Sequence, residues 1–222
     1  MANANLAETV RLTQERLERN EVEKKELERR LKEAKVKLAA AENDGAPPRN
    51  EFDLTQDDWK RLASMGTIKA RYPCDFDPNW NMTPEQQASL GLSPSDAAAV
   101  EKAIKVEEAR IARVIMDGCA KVLGDAELAQ RLGPRVCETV VGSSVKDQGR
   151  DLQLVANVRA GNTPMPSDST IDPFVALMFA ETGAMPQLQA DLAASFGPEE
   201  AHRLAFADEL GSCSGTSGPG AK

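Results

Sequence analysis

Apolar residues recur at heptad spacing along the start of the chain. Counted from Asn3, Val10, Leu17, Lys24, Leu31 and Leu38 fall at a positions, and Leu6, Thr13, Asn20, Leu27, Ala34 and Ala41 fall at d. Residues 5 to 43 contain neither Pro nor Gly, and charged residues fill the remaining surface. The pattern predicts one long coiled-coil-like helix. Its dimer seam is Leu6, Val10, Leu17, Asn20, Lys24, Leu27, Leu31 and Leu38. Asn20 and Lys24 place an amide and a charge inside that seam, which lowers stability but selects register and strand number. Pairs such as Glu21 with Lys25 and Glu28 with Lys32 add roughly 0.2 to 0.5 kcal/mol each to the helix itself. A solvated single helix, or one folded back on its own domain, is the plainer alternative.

The remainder reads as a helical domain of about six to eight helices with at most one short strand or β-hairpin, so the expected fold class is all-α. Gly45, Pro47 and Pro48 stop the rod, which sets the rod at 1–44, a linker at 45–53, the helical domain at 54–210 and a disordered tail at 211–222. Thr55 with Asp58 three residues on is a capping-box pattern, opening a helix through Met65 that Gly66 closes, with Trp59 and Leu62 inward. TIKARYPC, residues 67–74, alternates Ile68, Ala70 and Tyr72 with polar residues. A strand needs a partner, and the chain offers little other strand signal, so an extended connector is the favoured reading.

Thr83-Pro84-Glu85-Gln86 and Ser93-Pro94-Ser95-Asp96 each combine a hydroxyl cap, Pro at the first helical position and a polar acceptor at the third. They start a brief helix ended by Gly91 and a long one from Pro94 to about Leu123. Ala97, Val100, Ile104, Ile111, Val114, Ile115 and Val122 mark the buried side of the long one, which is expected to be the central helix. A further helix opens at Gly124 and Asp125 and is interrupted at Gly133-Pro134, and another runs from about Val145 to Ala160. After a turn-rich loop over 161–170 come three helical segments: IDPFVALMFAE, then MPQLQADLAASFG and PEEAHRLAFADEL.

Charge changes the picture of possible partners. The net charge of −8 is uneven: residues 1–50 carry 11 Lys and Arg against 10 Asp and Glu, and residues 51–222 carry 16 against 25. An acidic domain with one Tyr and two Trp lacks the basic stripe and stacking surfaces of a nucleic-acid binder. No stretch reaches the roughly 20 apolar residues of a membrane span. As written, the chain shows no export signal and is expected in the cytoplasm. An anchor or signal upstream of the abrupt rod would instead place it in the periplasm or on a membrane.

Four cysteines, Cys74, Cys119, Cys137 and Cys213, fit two disulfides in an oxidising compartment and equally four quiet thiols. Cys119 reads as a small core residue, whereas a bond to Cys213 would anchor an otherwise loose tail. No C-x-x-C occurs and His202 is the one histidine, so no metal site is expected. His202 sits three residues after Glu199, with Ser195 and Cys213 as the nearest nucleophiles. Without a G-x-S-x-G elbow the reading is a helix-surface imidazole, and no catalytic residue is assigned. Asp75, Asp77 and Asn79 alternate like the start of a calcium loop, but the central Gly and closing Glu are missing. Neither a phosphate-binding nor a dinucleotide-binding glycine pattern occurs, so no cofactor is expected. Met82-Thr83-Pro84-Glu85-Gln86 resembles, in one copy, the Leu-Thr-x-x-Gln signature of helical periplasmic stress chaperones and metal-response sensors.

The function expected is a non-enzymatic dimeric scaffold, adaptor or sensor, homodimeric through the rod and binding another protein through its acidic heads. The alternative, which the resemblance implies, is an envelope stress chaperone or metal sensor. As a chaperone it would use an exposed apolar concavity formed by the Phe174 to Phe179 and Leu204 to Phe206 segments.

Overall fold

A computed structural model of the chain describes Lys24 and residues 50–167 and 171–218. Lys24 is helical and exposed. The other seam positions, Leu6, Val10, Leu17, Asn20, Leu27, Leu31 and Leu38, lie outside the described residues. The chain divides into the units Met1–Asn50 and Glu51–Lys222, and the second carries the fold described here.

That unit is mostly helical, with seven α-helices, one 3-10 turn and a two-stranded antiparallel sheet among the described residues. In chain order they are α1 (Gln56–Met65), β1 (Ile68–Tyr72), α2 (Pro84–Leu90), α3 (Pro94–Leu123), α4 (Ala126–Ser143), α5 (Gln148–Arg159), α6 (Pro173–Phe196), α7 (Pro198–Ala205), the turn Asp208–Leu210 and β2 (Cys213–Ser217).

Local chemistry sets most helix starts. Thr55 with Asp58, Thr83 with Gln86 and Ser93 with Asp96 each form a reciprocal capping box, satisfying backbone N–H groups that the first turn leaves free. Thr83 and Gln86, the residues of the chaperone-like phrase, are thus the cap of α2. Gly133 (φ 74°, ψ 171°) breaks the helical path of α4 just before Pro134, a conformation that side chains with a Cβ rarely adopt.

Two elements depart from the sequence expectation. Residues 173–196 form one continuous helix where two segments were expected, although Pro186 lies inside it. Arg159, at the end of α5, supports the stretch before the proline: its Nη2 donates to the Phe179 carbonyl (2.5 Å) and its Nε to Thr182 Oγ1 (3.0 Å). Gly183 leaves the space this guanidinium occupies, since a Cβ there would meet Arg159 Nη2 at 2.6 Å. α6, buried at Phe174, Val175, Leu177, Met178, Phe179, Ala184, Met185, Leu188 and Leu192, is also the central helix, a place expected for α3. α3 lies beside it, packed on both α4 and α6. Val122 is exposed and Val114 only half-buried, so these two fall off the inward stripe of α3, which continues through Cys119 to Leu123.

The second departure is the sheet. TIKARYPC is a strand rather than a connector, because the C-terminal segment supplies its partner, in register Ile68 with Ser217 through Tyr72 with Cys213. Residues 213–217 of the expected disordered tail are therefore β2, with Cys213 bonded to Cys74. The second disulfide joins Cys119 on α3 to Cys137 on α4, so no free cysteine remains. Arg71, buried on β1, holds the turn before β2 through Asp208 Oδ1 (2.9 Å) and the Ala207 carbonyl (3.1 Å).

Candidate functional site

β1 packs on α6 and carries β2 on its other edge. Strand side chains alternate, so Ile68, Ala70 and Tyr72 share one face with their partners Ser217, Gly215 and Cys213. That face looks into a cavity of about 450 Å³. Phe174, Leu177, Met178 and Glu181, spaced three, four and seven along α6, form one wall. Glu138, Thr139 and Gly142 of α4 form the opposite one.

Three titratable groups converge there. The Tyr72 hydroxyl donates to Glu138 Oε1 at 2.8 Å. Glu181 is buried to 7% exposure beside the same phenol. Burial, reinforced by the Glu138 carboxylate, pushes Glu181 up to about 8, with the adjacent Tyr72 hydroxyl acting the other way. Glu181 therefore holds its proton at neutral pH. Burial and then the neighbouring carboxyl groups push the Tyr72 phenol far above its ordinary range, so it stays a donor.

On the other side of Glu138 and Cys213 lies a second cavity of about 400 Å³, lined by Trp80, Glu108, Arg135 and the segment from Leu210 to Ser212. Arg135, Glu138, Thr139 and Gly142 recur at helical spacing, so one face of α4 runs along both cavities, with the segment 210–217 as the facing wall. Arg135 donates to Asp75 Oδ1 at 2.9 Å and to its carbonyl at 2.8 Å. Buried Glu108 accepts the N–H groups of Asp75 (3.1 Å) and Phe76 (3.3 Å), which holds Phe76 in the left-handed region at φ 52°.

Of the residues singled out from sequence, Tyr72, Asp75, Phe174, Leu177, Met178, Cys74 and Cys213 line the cavities and His202 and Ser195 lie elsewhere. Cys74 and Cys213 form a bond at the junction of the two cavities. Cys119 and Cys137 are fully buried. His202 pairs with Asp53 Oδ2 at 3.0 Å, not with Glu199, and stacks on Phe206. Ser195 is exposed on α6, and Cys213 is consumed by its disulfide. Asp77 accepts the N–H of Asn79 in a local turn while Asp75 faces Arg135, so the three residues of the calcium-like pattern do not converge. Among the described residues no three His, Cys, Asp or Glu gather where a metal ion would bind. Of the segments named for a chaperone concavity, Phe174, Leu177 and Met178 line the larger cavity, while Phe179 and Leu204 are buried in the core.

Glu138 and Glu181 escaped the sequence reading. Glu138 gave no signal, since its neighbours Cys137 and Thr139 are ordinary helix residues. Glu181 gave one: it ends the uncharged run from Pro173 to Ala180, where a carboxyl has no polar face to occupy. No known protein family, curated protein or solved structure matches this chain.

Proposed function

We propose that the chain is a non-enzymatic adaptor or sensor of an oxidising compartment. It associates through the N-terminal rod and presents the disulfide-locked domain to another protein. The observation that supports this reading is the disulfide framework, which uses all four cysteines. Such bonds persist outside reducing compartments. One fixes the extended segment at the rim of the two cavities and the other locks α3 to α4, so the surface is organised before a partner arrives and loses little freedom on binding. A rod-linked pair of such heads would raise the effective concentration of the second contact.

Two measurements test this. The full chain with Leu27→Asp and Leu31→Asp, compared with the unsubstituted chain by light scattering under non-reducing conditions, is expected to fall from dimer to monomer. Protein recovered from its own cells with thiols blocked at lysis is expected to carry no alkylated cysteine. Equal mass for both chains, or four alkylated thiols, would sink the proposal.

One observation favours a second reading. Glu181 protonated beside Glu138 is the arrangement of a general acid and base whose affinities are held apart by environment. Hydrolysis of simple glycoside or ester substrates that disappears in both Glu138→Gln and Glu181→Gln would replace the adaptor reading with it.

A further inference from the structure

Among the described residues the outer edge of β2 has no neighbouring strand, and Cys213, Ser214, Gly215 and Thr216 are all exposed. An open edge presents unpaired N–H and C=O groups, and proteins ordinarily guard such edges with Lys, Pro or an inward charge. Residues 213–217, CSGTS, contain none of these. The segment is nonetheless held extended, by pairing with β1, by the bond from Cys213 to Cys74 and by Arg71 on the turn before it. Its small side chains leave the backbone accessible.

The cavities beside the edge state what should approach it. A strand added to β2 places alternate side chains level with Cys213, Gly215 and Ser217, on the face that looks into the larger cavity. Glu138 stands at the junction of the two cavities, and Tyr72 occupies one acceptor position of a carboxylate that has several. Glu108 adds a carboxyl group on the other side, and Arg135, the one cation lining either cavity among the described residues, is offset by its pairing with Asp75. Residues 51–222 as a whole are acidic, with 16 Lys and Arg against 25 Asp and Glu, and the two cations of β1, Lys69 and Arg71, are paired with Glu51 and Asp208. A lysine or arginine side chain complements this wall, and an acidic one is repelled.

We propose that β2 takes an extended, basic segment of a partner protein as a third strand, with a Lys or Arg side chain of that segment reaching Glu138. This rests on the adaptor reading and names its binding surface. Main-chain pairing supplies affinity, and the cavities select the side chains that alternate inward.

The test selects phage-displayed random peptides of about ten residues on the full-length oxidised chain, then titrates the enriched synthetic peptides by calorimetry. Enriched sequences are expected to lack Pro at their centre and to carry Lys or Arg at alternate positions. Methylating alternate backbone amides of the peptide should weaken binding at least about tenfold, as should Glu138→Gln in the protein. Tyr72→Phe, which keeps the ring and leaves Glu138 without its internal donor, should bind at least as well and guards against a folding artefact in the Glu138 variant. The Cys74→Ser, Cys213→Ser chain should lose binding.

Peptides whose binding survives both amide methylation and Glu138→Gln would overturn this proposal and leave the adaptor reading standing. Self-association that peptides do not displace and that a Lys substitution at Thr216 abolishes would assign the edge to a second copy, and would overturn it too. Failure of any peptide to enrich would count against both readings.

Discussion

The hydroxyl of Tyr72 on β1 bonds Glu138 on α4 across 66 residues, at 2.8 Å, and this bond sets how the sheet meets the helical layer. Glu181 approaches the same phenol from α6, so three elements far apart in sequence share one small polar centre inside an otherwise apolar interface. A neutral acid, a neutral phenol and a carboxylate can coexist there, whereas two ionised carboxylates would repel.

This centre makes stability depend on pH. The Glu181 carboxyl has an ordinary value of 4.5 and is pushed up to about 8 in the folded chain, so the folded state keeps a proton that the unfolded chain releases between those values. Its contribution is greatest below 4.5 and is lost as pH rises toward 8. Glu107, raised to about 7 by burial with Arg110 opposing, adds to the same trend. Glu181→Gln keeps the shape without the proton, so its melting temperature should exceed that of the unsubstituted chain at about pH 9 and the gain should shrink toward about pH 4. Circular dichroism melts at both values decide it. A gain independent of pH contradicts the assignment.

The two disulfides should respond differently to reductant. Cys213 is exposed, whereas Cys119 and Cys137 are fully buried. Mild reduction of the folded protein followed by alkylation and mass spectrometry should label Cys74 and Cys213 first. On the chain-entropy account, removing the Cys119–Cys137 bond, with a separation of 18, costs about 3 kcal/mol, and removing Cys74–Cys213, with a separation of 139, costs about 5.

Glu108→Ala removes the acceptor of two N–H groups in the loop after β1. Losing hydrogen bonds to a buried carboxylate should cost about 2 to 4 kcal/mol. Glu108→Gln retains an acceptor oxygen and should recover most of it. Urea unfolding followed by Trp80 and Trp59 fluorescence measures both variants.

α3, α4 and the start of α6 meet at Gly118, where a Cβ would lie 3.2 Å from Val141 Cγ2 and 3.3 Å from Pro173 Cβ. Gly118→Leu cannot be accommodated without separating these helices and should cost at least about 1 to 3 kcal/mol. Gly118→Ala needs only a small shift and should be milder. Equal urea midpoints for the two would contradict close contact at this point.

Helix starts were legible because their causes are local. The hydroxyls of Thr55, Thr83 and Ser93 bond N–H groups three residues on, and the same residues reveal the pattern in sequence. β1 was legible as an alternation but not as a strand, since its partner follows more than 130 residues later in a Ser- and Gly-rich segment with no strand signature. α6 runs on past Pro186, with Arg159 bonded to its preceding turn in the space at Gly183, contacts that a proline-based rule cannot see. The polar centre needs three distant elements: Tyr72 was named only as part of an alternation, and Glu181, at the end of an uncharged run, carried a signal that went unread. The heptad seam falls outside the described residues, apart from exposed Lys24.

The β1–β2 pairing has a consequence for biosynthesis. A chain emerging from the ribosome makes α1 through α7 before β2 exists, so β1 waits with a bare edge and Cys74 with a free thiol until almost the whole domain has been translated. Pairings of such long sequence separation form late, after local helices have consolidated. A product terminated before Cys213 would fold most of its helices yet display both an adhesive strand and a reactive sulfur, two features by which quality-control machinery can distinguish it from the finished protein.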